Sequence, residues 1–286
     1  MEDLYVYAQE RAKQLLYRLM KNQDIPLLKY TFRFFFDYYV SENEIMVLPH
    51  HFSGRKIEGL TVIDELGVSI SYEQENPVTK QNFTLCHELG HFLLKHEGGY
   101  FAESVGNQDN KIEWEANIFS AFILMPDIVL LSKIYYGCHT FEEVQSSLEV
   151  SKETLTYRLI DLLWEYHIGA ELEIRKAVDE YIDGQNATIH HYFHKIKEQI
   201  ADDYNQYQDS PVDVAIQKLS KSGFVTSEEV SELLNQDLWA EITKQAKYVR
   251  VWLLYNKGKR IAYAWDTNKV SDEQAKKKAE FKLLLM

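Results

Sequence analysis

The residues with the clearest chemical potential are His87, Glu88 and His91, which form the pattern His-Glu-x-x-His. On a helix, residues four apart share one face, so both imidazoles can bind one cation. Zinc accepts two nitrogens and a carboxylate and leaves a fourth position for water. Glu88 lies one step round the helix, where it can take a proton from that water. The pattern therefore predicts a zinc peptidase site with Glu88 as the catalytic base.

The third metal ligand is expected from a second helix, which begins about 20 residues after His91. Two carboxylates compete there, and on a helix Glu113 and Glu115 point about 200° apart, so only one can face the metal. We predict Glu113, because the small Ala116 lies one turn beyond it and lets the helices approach. Asn117 is on the same face and could hydrogen-bond a ligand histidine. Glu115 would then be a surface carboxylate or a member of a salt bridge.

Other histidines and cysteines near these helices have less specific interpretations. His-Glu-x-x-His is a weak motif when taken alone, so the alternative is that His87 and His91 are core histidines bonded to the backbone. Cys86 is rotated about 100° from His87 and is expected in the core. His96 is expected at the surface or behind a metal ligand. A further histidine cluster lies on a polar helix and is expected to be exposed to solvent. It consists of His190, His191 and His194.

Helices and short strands must position these side chains. Apolar periodicity predicts helices over residues 2–21, 79–96 and 111–125, the last ending at Pro126, and strands over 44–48, 60–63 and 68–72. The strand over 68–72, which alternates strictly, is a candidate edge along which a substrate backbone could pair.

Residues 139–167 resemble a helix-turn-helix unit, with Ser151 as the N-cap of its second helix. Six acidic residues and only two basic ones lie between 139 and 166. A helix that enters DNA needs cations for the phosphates, so we interpret this unit as a packing module or a protein-docking surface.

The rest of the chain has a different pattern. Residues 171–207 are helical with a break near Gly184, and an acidic stretch over 202–213 is a candidate linker. Short helices then lead to a β-hairpin at 249–265, whose Trp252 and Trp265 are expected in the core. A capping box from Ser271 to Gln274 predicts a final helix.

Composition excludes several classes of protein. The net charge of −13 opposes non-specific binding to nucleic acid. No apolar run approaches the length of a membrane span, and the acidic start is unlike a signal peptide. With only Cys86 and Cys138, the chain fits a reducing cytoplasm better than a disulfide framework.

Residues 83–91, followed by Glu113-x-Glu115-Ala116-Asn117 and by Leu-Met-Pro at 124–126, resemble the ImmA/IrrE family of metallopeptidases. The resemblance covers about residues 1–168. It implies a minimal zincin fold, zinc ligands at His87, His91 and Glu113, and the cleavage of DNA-binding repressors. Cys86 departs from the small residue usual at that position, and residues 171–286 match no family known to us.

We therefore predict an α+β protein with three parts: a zincin-like metallopeptidase domain (1–132), a helix-turn-helix-like unit (133–170) and a C-terminal helical region with a β-hairpin (171–286). The predicted function is a cytoplasmic, bacterial, zinc-dependent endopeptidase for one protein substrate, such as a phage or mobile-element repressor. No direct binding to nucleic acid or membrane is expected. The alternative is a non-catalytic binding or sensor module derived from a zincin, against which the intact Glu88 argues.

Overall fold

The computed structural model describes residues 2–52, 57–104, 111–207 and 209–286, which form an α+β protein with two compact units, Met1–Tyr207 and Gln208–Met286. The division falls inside the acidic stretch 202–213. The first unit therefore contains residues 171–207 together with the candidate peptidase region.

The first unit combines nine helices and a four-stranded sheet among its described residues. The helices are α1 (Glu2–Asn22), α2 (Arg33–Glu42), α3 (Val78–Leu93), α4 (Lys111–Leu124), α5 (Asp127–Leu131), α6 (Phe141–Leu148), α7 (Lys152–Glu165), α8 (Glu171–Ile182) and α9 (Ala187–Gln206). The strands are β1 (Met46–His50), β2 (Ile57–Asp64), β3 (Gly67–Glu73) and β4 (Tyr100–Ser104). Helix α2 and strand β4 were not predicted from the sequence.

The sheet of the first unit has the strand order β1-β3-β2-β4. The prediction that residues 68–72 form an edge strand is wrong, because β3 pairs in parallel with β1 and antiparallel with β2. Gly67, with φ 126°, begins β3 after the tight turn from β2. Among the described strands, β1 and β4 form the two edges of this sheet.

One helical run, Lys111–Tyr136, is long and apolar enough to span a membrane, contrary to the expectation that none would be. It joins α4 and α5 across Pro126 to a π-helical turn, Ser132–Tyr136. Of its most apolar window, 78% is buried inside the protein, as in the core helix of a soluble domain. The run is the central helix of the first unit, against which α1 and α3 pack.

A buried ion cluster ties the end of this run to distant helices. Asp127, the first residue of α5, is fully buried and is paired with Arg158 of α7. The Lys13 ammonium of α1 lies 3.7 Å from Asp127 and 2.9 Å from Asp203 of α9. Buried charges are tolerated only when they are paired, so the cluster fixes how these four helices meet.

Local sequence signals placed most helix ends correctly. The Ser151 hydroxyl accepts the Thr154 N–H at the start of α7. Helices α6 and α7 lie where the helix-turn-helix pair was expected, but whether they act as such a unit stays a prediction. Gly184, with φ 82°, separates α8 from α9.

The second unit has a three-stranded sheet with a helix layer on each face. Its elements are α10 (Pro211–Ser222), β5 (Phe224–Thr226), a 3₁₀ turn (Ser231–Leu234), α11 (Asp237–Gln245), β6 (Val249–Asn256), β7 (Lys259–Asp266) and α12 (Asp272–Leu285). The strand order is β5-β7-β6. The predicted capping box at Ser271 and Gln274 is present at the start of α12.

The two hairpin tryptophans differ in burial. Trp265 on the central strand β7 is 6% exposed, as expected of a core residue. Trp252 is 59% exposed, so its prediction as a core residue is wrong. The reason is its position on β6, an edge strand, where α12 packs mainly against β7.

Candidate metal centre

The structure brings the three predicted ligands together. His87 and His91 of α3 have their Nε2 atoms 3.0 Å apart. The Glu113 carboxylate of α4 lies 3.1 Å from His87 Nε2 through Oε2 and 3.7 Å from His91 Nε2 through Oε1. Both histidines are buried, at 1% and 0% exposure. One ion could therefore contact all three side chains.

Small residues allow α3 and α4 to approach closely at this point. A Cβ on Gly90 would lie 3.2 Å from the Phe119 ring and 3.6 Å from the Ala116 Cα. Close helix contact needs such small side chains, which is the role that the sequence suggested for Ala116. The contact aligns Glu113 with the two histidines.

The chemistry of the donor set fits zinc. Burial, and then the neighbouring His87 and His96, lower the pKa of His91 to about 2. A neutral imidazole is the form that binds a metal ion, and two imidazole nitrogens with one carboxylate make a common catalytic zinc set. His87, His91 and Glu113 would hold the ion, and the fourth position would remain open.

Asn117 supports His87 from the same helix as the carboxylate ligand. His87 Nδ1 lies 2.9 Å from Asn117 Oδ1. When Nδ1–H donates to this oxygen, Nε2 is left with its lone pair toward the metal position. Asn117 thus has the place that its spacing from Glu113 suggested.

His91 has a longer chain of contacts behind it. His91 Nδ1 lies 2.8 Å from His96 Nδ1, and His96 Nε2 lies 3.0 Å from Glu115 Oε2. Lys95, with φ 57°, turns the backbone after α3 so that His96 folds back onto His91. Glu115 is a buried ion-pair member rather than a surface carboxylate, being 5% exposed.

Glu88 packs against strand β2 of the sheet. It is fully buried, and its Oε2 accepts a hydrogen bond of 2.5 Å from the Thr61 hydroxyl of β2. A Cβ on Gly59 would overlap Glu88 Oε1 and Thr84 Cγ2, so a larger residue at this position of the strand would displace these side chains. Gly59 and Thr61 were missed in the sequence. The only signal was a glycine directly before the predicted strand 60–63; inside the observed, longer strand such a glycine often marks close backbone approach.

Strand β4 borders the site. The Phe101 ring stacks on the His91 imidazole with centroids 4.8 Å apart and planes at 13°. Strand β4 is an edge among the described strands, and the side chain of its Phe101 lies against a ligand histidine.

A second His/Glu group, on a different part of the sheet, is a weaker candidate for a metal. His51, Glu73 and Glu75 have potential ligand atoms within 4.8 Å of one another. The Glu73 carboxylate, however, accepts the backbone N–H groups of Phe52 and Glu75. We assign it a role in ending β3.

Comparison with known proteins agrees with the geometry. Residues 41–160 match the IrrE N-terminal-like domain, a family of metallopeptidases. None of the curated proteins matches the chain. The matched segment includes the whole first sheet, α3 and α4, and it supports an enzyme of the metallopeptidase type. This segment, which contains His87, His91 and Glu113, is thus similar to the ImmA/IrrE family.

Proposed function

We propose that the chain is a zinc-dependent endopeptidase that cleaves a specific protein. The observation that carries the proposal is the convergence of His87, His91 and Glu113 within 4.8 Å, at buried positions of two packed helices. Core histidines in a purely structural role would have no need of a buried carboxylate beside both of their Nε2 atoms.

Several residues of the chain would each have a role in peptide hydrolysis. Zinc, when bound, acidifies a water molecule and polarises the scissile carbonyl. Thr61 holds the Glu88 carboxylate through Oε2, and Glu88 would accept the proton from the attacking water. Glu88 then returns that proton to the leaving amine. Asn117 and His96 keep the two imidazoles in the tautomer that presents Nε2.

Strand β4 supports a proposal for how the substrate binds. An extended peptide can add to the edge of a sheet through main-chain hydrogen bonds. Added to β4, it would run beside Phe101 and His91. An extended protein segment is therefore the proposed substrate form.

Charge favours a basic substrate. Residues 1–207 contain 18 Lys and Arg against 33 Asp and Glu, which gives a charge of −15. A repressor with a basic DNA-binding domain complements this charge, and electrostatic complementarity speeds encounter. We accordingly propose a bacterial cytoplasmic repressor as the substrate, of the kind that phages and mobile elements encode.

The second candidate is a non-catalytic binding or sensor module derived from a zincin. The observation in its favour is the complete burial of Glu88 against β2. The matched variant that separates the two candidates is Glu88→Gln, which keeps the shape of the side chain and cannot accept a proton at neutral pH.

The experiment uses the purified, zinc-loaded full chain and the repressor encoded beside its gene. New amino termini in the repressor are identified by mass spectrometry. We expect one cleavage site with the wild type and a rate lowered about 10²–10⁴-fold with Glu88→Gln. Equal cleavage by both proteins would exclude Glu88 as the base. Repressor that binds and stays intact with both would favour the non-catalytic module.

A further inference from the structure

The second unit has the topology of a winged helix-turn-helix. In chain order it consists of α10, β5, the 3₁₀ turn, α11, and the hairpin β6–β7. The first strand, β5, pairs with the last, β7, and β6 forms the outer edge. In DNA-binding proteins of this architecture, the helix before the hairpin enters a groove and the hairpin tip contacts the backbone.

The packing of the unit places α11 and α10 on one face of the sheet. Val249, Ala262 and Ala264 form a core with the residues of α10 and α11. The other face packs on α12. Trp239 donates its Nε1–H to the Leu233 carbonyl at 2.9 Å, which ties α11 to the turn before it.

The charge of this unit differs from that of the whole chain. Residues 208–286 contain 13 Lys and Arg against 11 Asp and Glu, a charge of +2 in a chain of −13. The expectation that the protein avoids nucleic acid came from the total charge and from the acidic residues 139–166. Neither observation describes the second unit, because the negative charge is concentrated in residues 1–207.

The cations are grouped at the hairpin tip and at the end of α11. Lys257, Lys259 and Arg260 are exposed, and they form no ion pair within the described part of the unit. Lys244 and Lys247, at the end of α11 and just beyond it, are also exposed. Arg260 pairs across the strands with the exposed Tyr255. Side chains alternate between faces along a strand, so Arg260 is on the same face as Ala262, which is the α11 face.

We propose that residues 208–286 form a module that binds duplex DNA, with the cations at the tip of the β6–β7 hairpin and at the end of α11 on the phosphate backbone. Exposed lysine and arginine side chains at a hairpin tip can neutralise DNA phosphates. This neutralisation supplies most of the affinity of non-specific DNA binding. Aromatic side chains on the same hairpin, such as the exposed Trp252, would instead suit a protein partner, and absence of DNA binding in the experiment below would favour that alternative.

The test measures binding of the full-length protein to a fluorescein-labelled, random-sequence DNA duplex by anisotropy over a range of salt concentrations. The variant Lys257→Gln/Lys259→Gln/Arg260→Gln removes three charges at the tip. The matched control, Lys276→Gln/Lys277→Gln/Lys282→Gln, removes three from α12 on the opposite face of the sheet. All six side chains are solvent-accessible, and thermal melts check that each protein is folded.

We expect the wild type to bind with a Kd of about 10⁻⁶ M at low salt and to weaken steeply as salt rises. The tip variant should lower the slope of log K against log salt by about 0.9 for each phosphate that it no longer neutralises, and the α12 control should keep the wild-type slope. Absence of DNA binding by the wild type at low salt would overturn the proposal, whether or not the hairpin captures a protein partner. If the tip variant and the α12 control lower the slope of log K against log salt equally, the proposal is also overturned. Such a result would show only a general attraction between charges.

Discussion

His91 Nδ1 lies 2.8 Å from His96 Nδ1, and this contact links a proposed metal ligand to a carboxylate on the neighbouring helix. With His91 bound to metal through Nε2, its Nδ1–H donates to His96, whose Nε2–H in turn donates to Glu115. The two helices thus share the task of orienting one imidazole.

His96→Ala should lower the affinity for zinc about 10–100-fold, the usual effect of removing a group that orients a metal ligand. Glu115→Gln should act in the same direction, because Glu115 acts through His96. Competition with a chelator of known affinity measures both, and the Co²⁺ absorption spectrum reports any change in the angle of His91. Unchanged affinity for zinc in both variants would mean that the contacts of His91 with His96 and, through it, with Glu115 do not affect metal binding.

The contact between Gly59 and Glu88 predicts a variant that impairs catalysis without touching the metal. Gly59→Ala places a Cβ on top of Glu88 Oε1 and should displace the carboxylate. We expect zinc content to stay at the wild-type level and cleavage to fall toward that of Glu88→Gln. Thr61→Val is the companion variant, which removes the hydrogen bond and leaves space at Gly59. Full activity of Gly59→Ala would contradict the assigned position of the base.

The two cysteines should differ in reactivity. Cys86 is 1% exposed, and burial raises the pKa of its thiol well above its ordinary value, whereas Cys138 is exposed. A thiol reagent added to the native protein should therefore label one cysteine quickly, since the thiolate is the reactive form. Cys138→Ser should abolish this fast labelling, and Cys86→Ser should leave it unchanged. The reverse result would show that Cys86 is accessible.

The buried Asp127 should be important for stability. Asp127→Ala leaves Arg158 and Lys13 without their shared carboxylate, and removing one partner of a buried pair costs about 3–5 kcal/mol. The control is Glu171→Ala, which breaks the exposed pair with Arg175 and should change the free energy of unfolding by less than about 1 kcal/mol. Urea denaturation measures both. Similar small effects of both variants would mean that the Asp127 carboxylate contributes little to stability.

The convergence of His87, His91 and Glu113 was predictable because it depends on helical phase within two short segments. The spacing of His87, His91 and Glu113 is a local property, and α-helix geometry converts it directly into a shared face. The choice of Glu113 over Glu115 followed from the same geometry. The resemblance to the ImmA/IrrE family implies the same three residues as ligands.

The remaining features depend on long-range pairing, which local patterns do not record. The position of β3 inside the sheet is set by β1, whose alternation is weak, so the edge was assigned to the wrong strand. Gly59 and Thr61 meet Glu88 only because β2 packs on α3. Trp252 has the pattern of a core residue, but strand order places it on an exposed edge. Charge summed over the whole chain concealed the basic second unit.

The central claim is that one zinc ion is held by His87, His91 and Glu113, with Glu88 outside the ligand set. The most direct measurement is the zinc content per chain, by inductively coupled plasma mass spectrometry, of the purified wild type and four variants. We predict about one zinc per chain in the wild type and in Glu88→Gln, and almost none in His87→Ala, His91→Ala and Glu113→Gln, since a catalytic site needs three protein ligands. Equal zinc in the wild type and the two histidine variants, or loss of zinc in Glu88→Gln alone, would contradict the account.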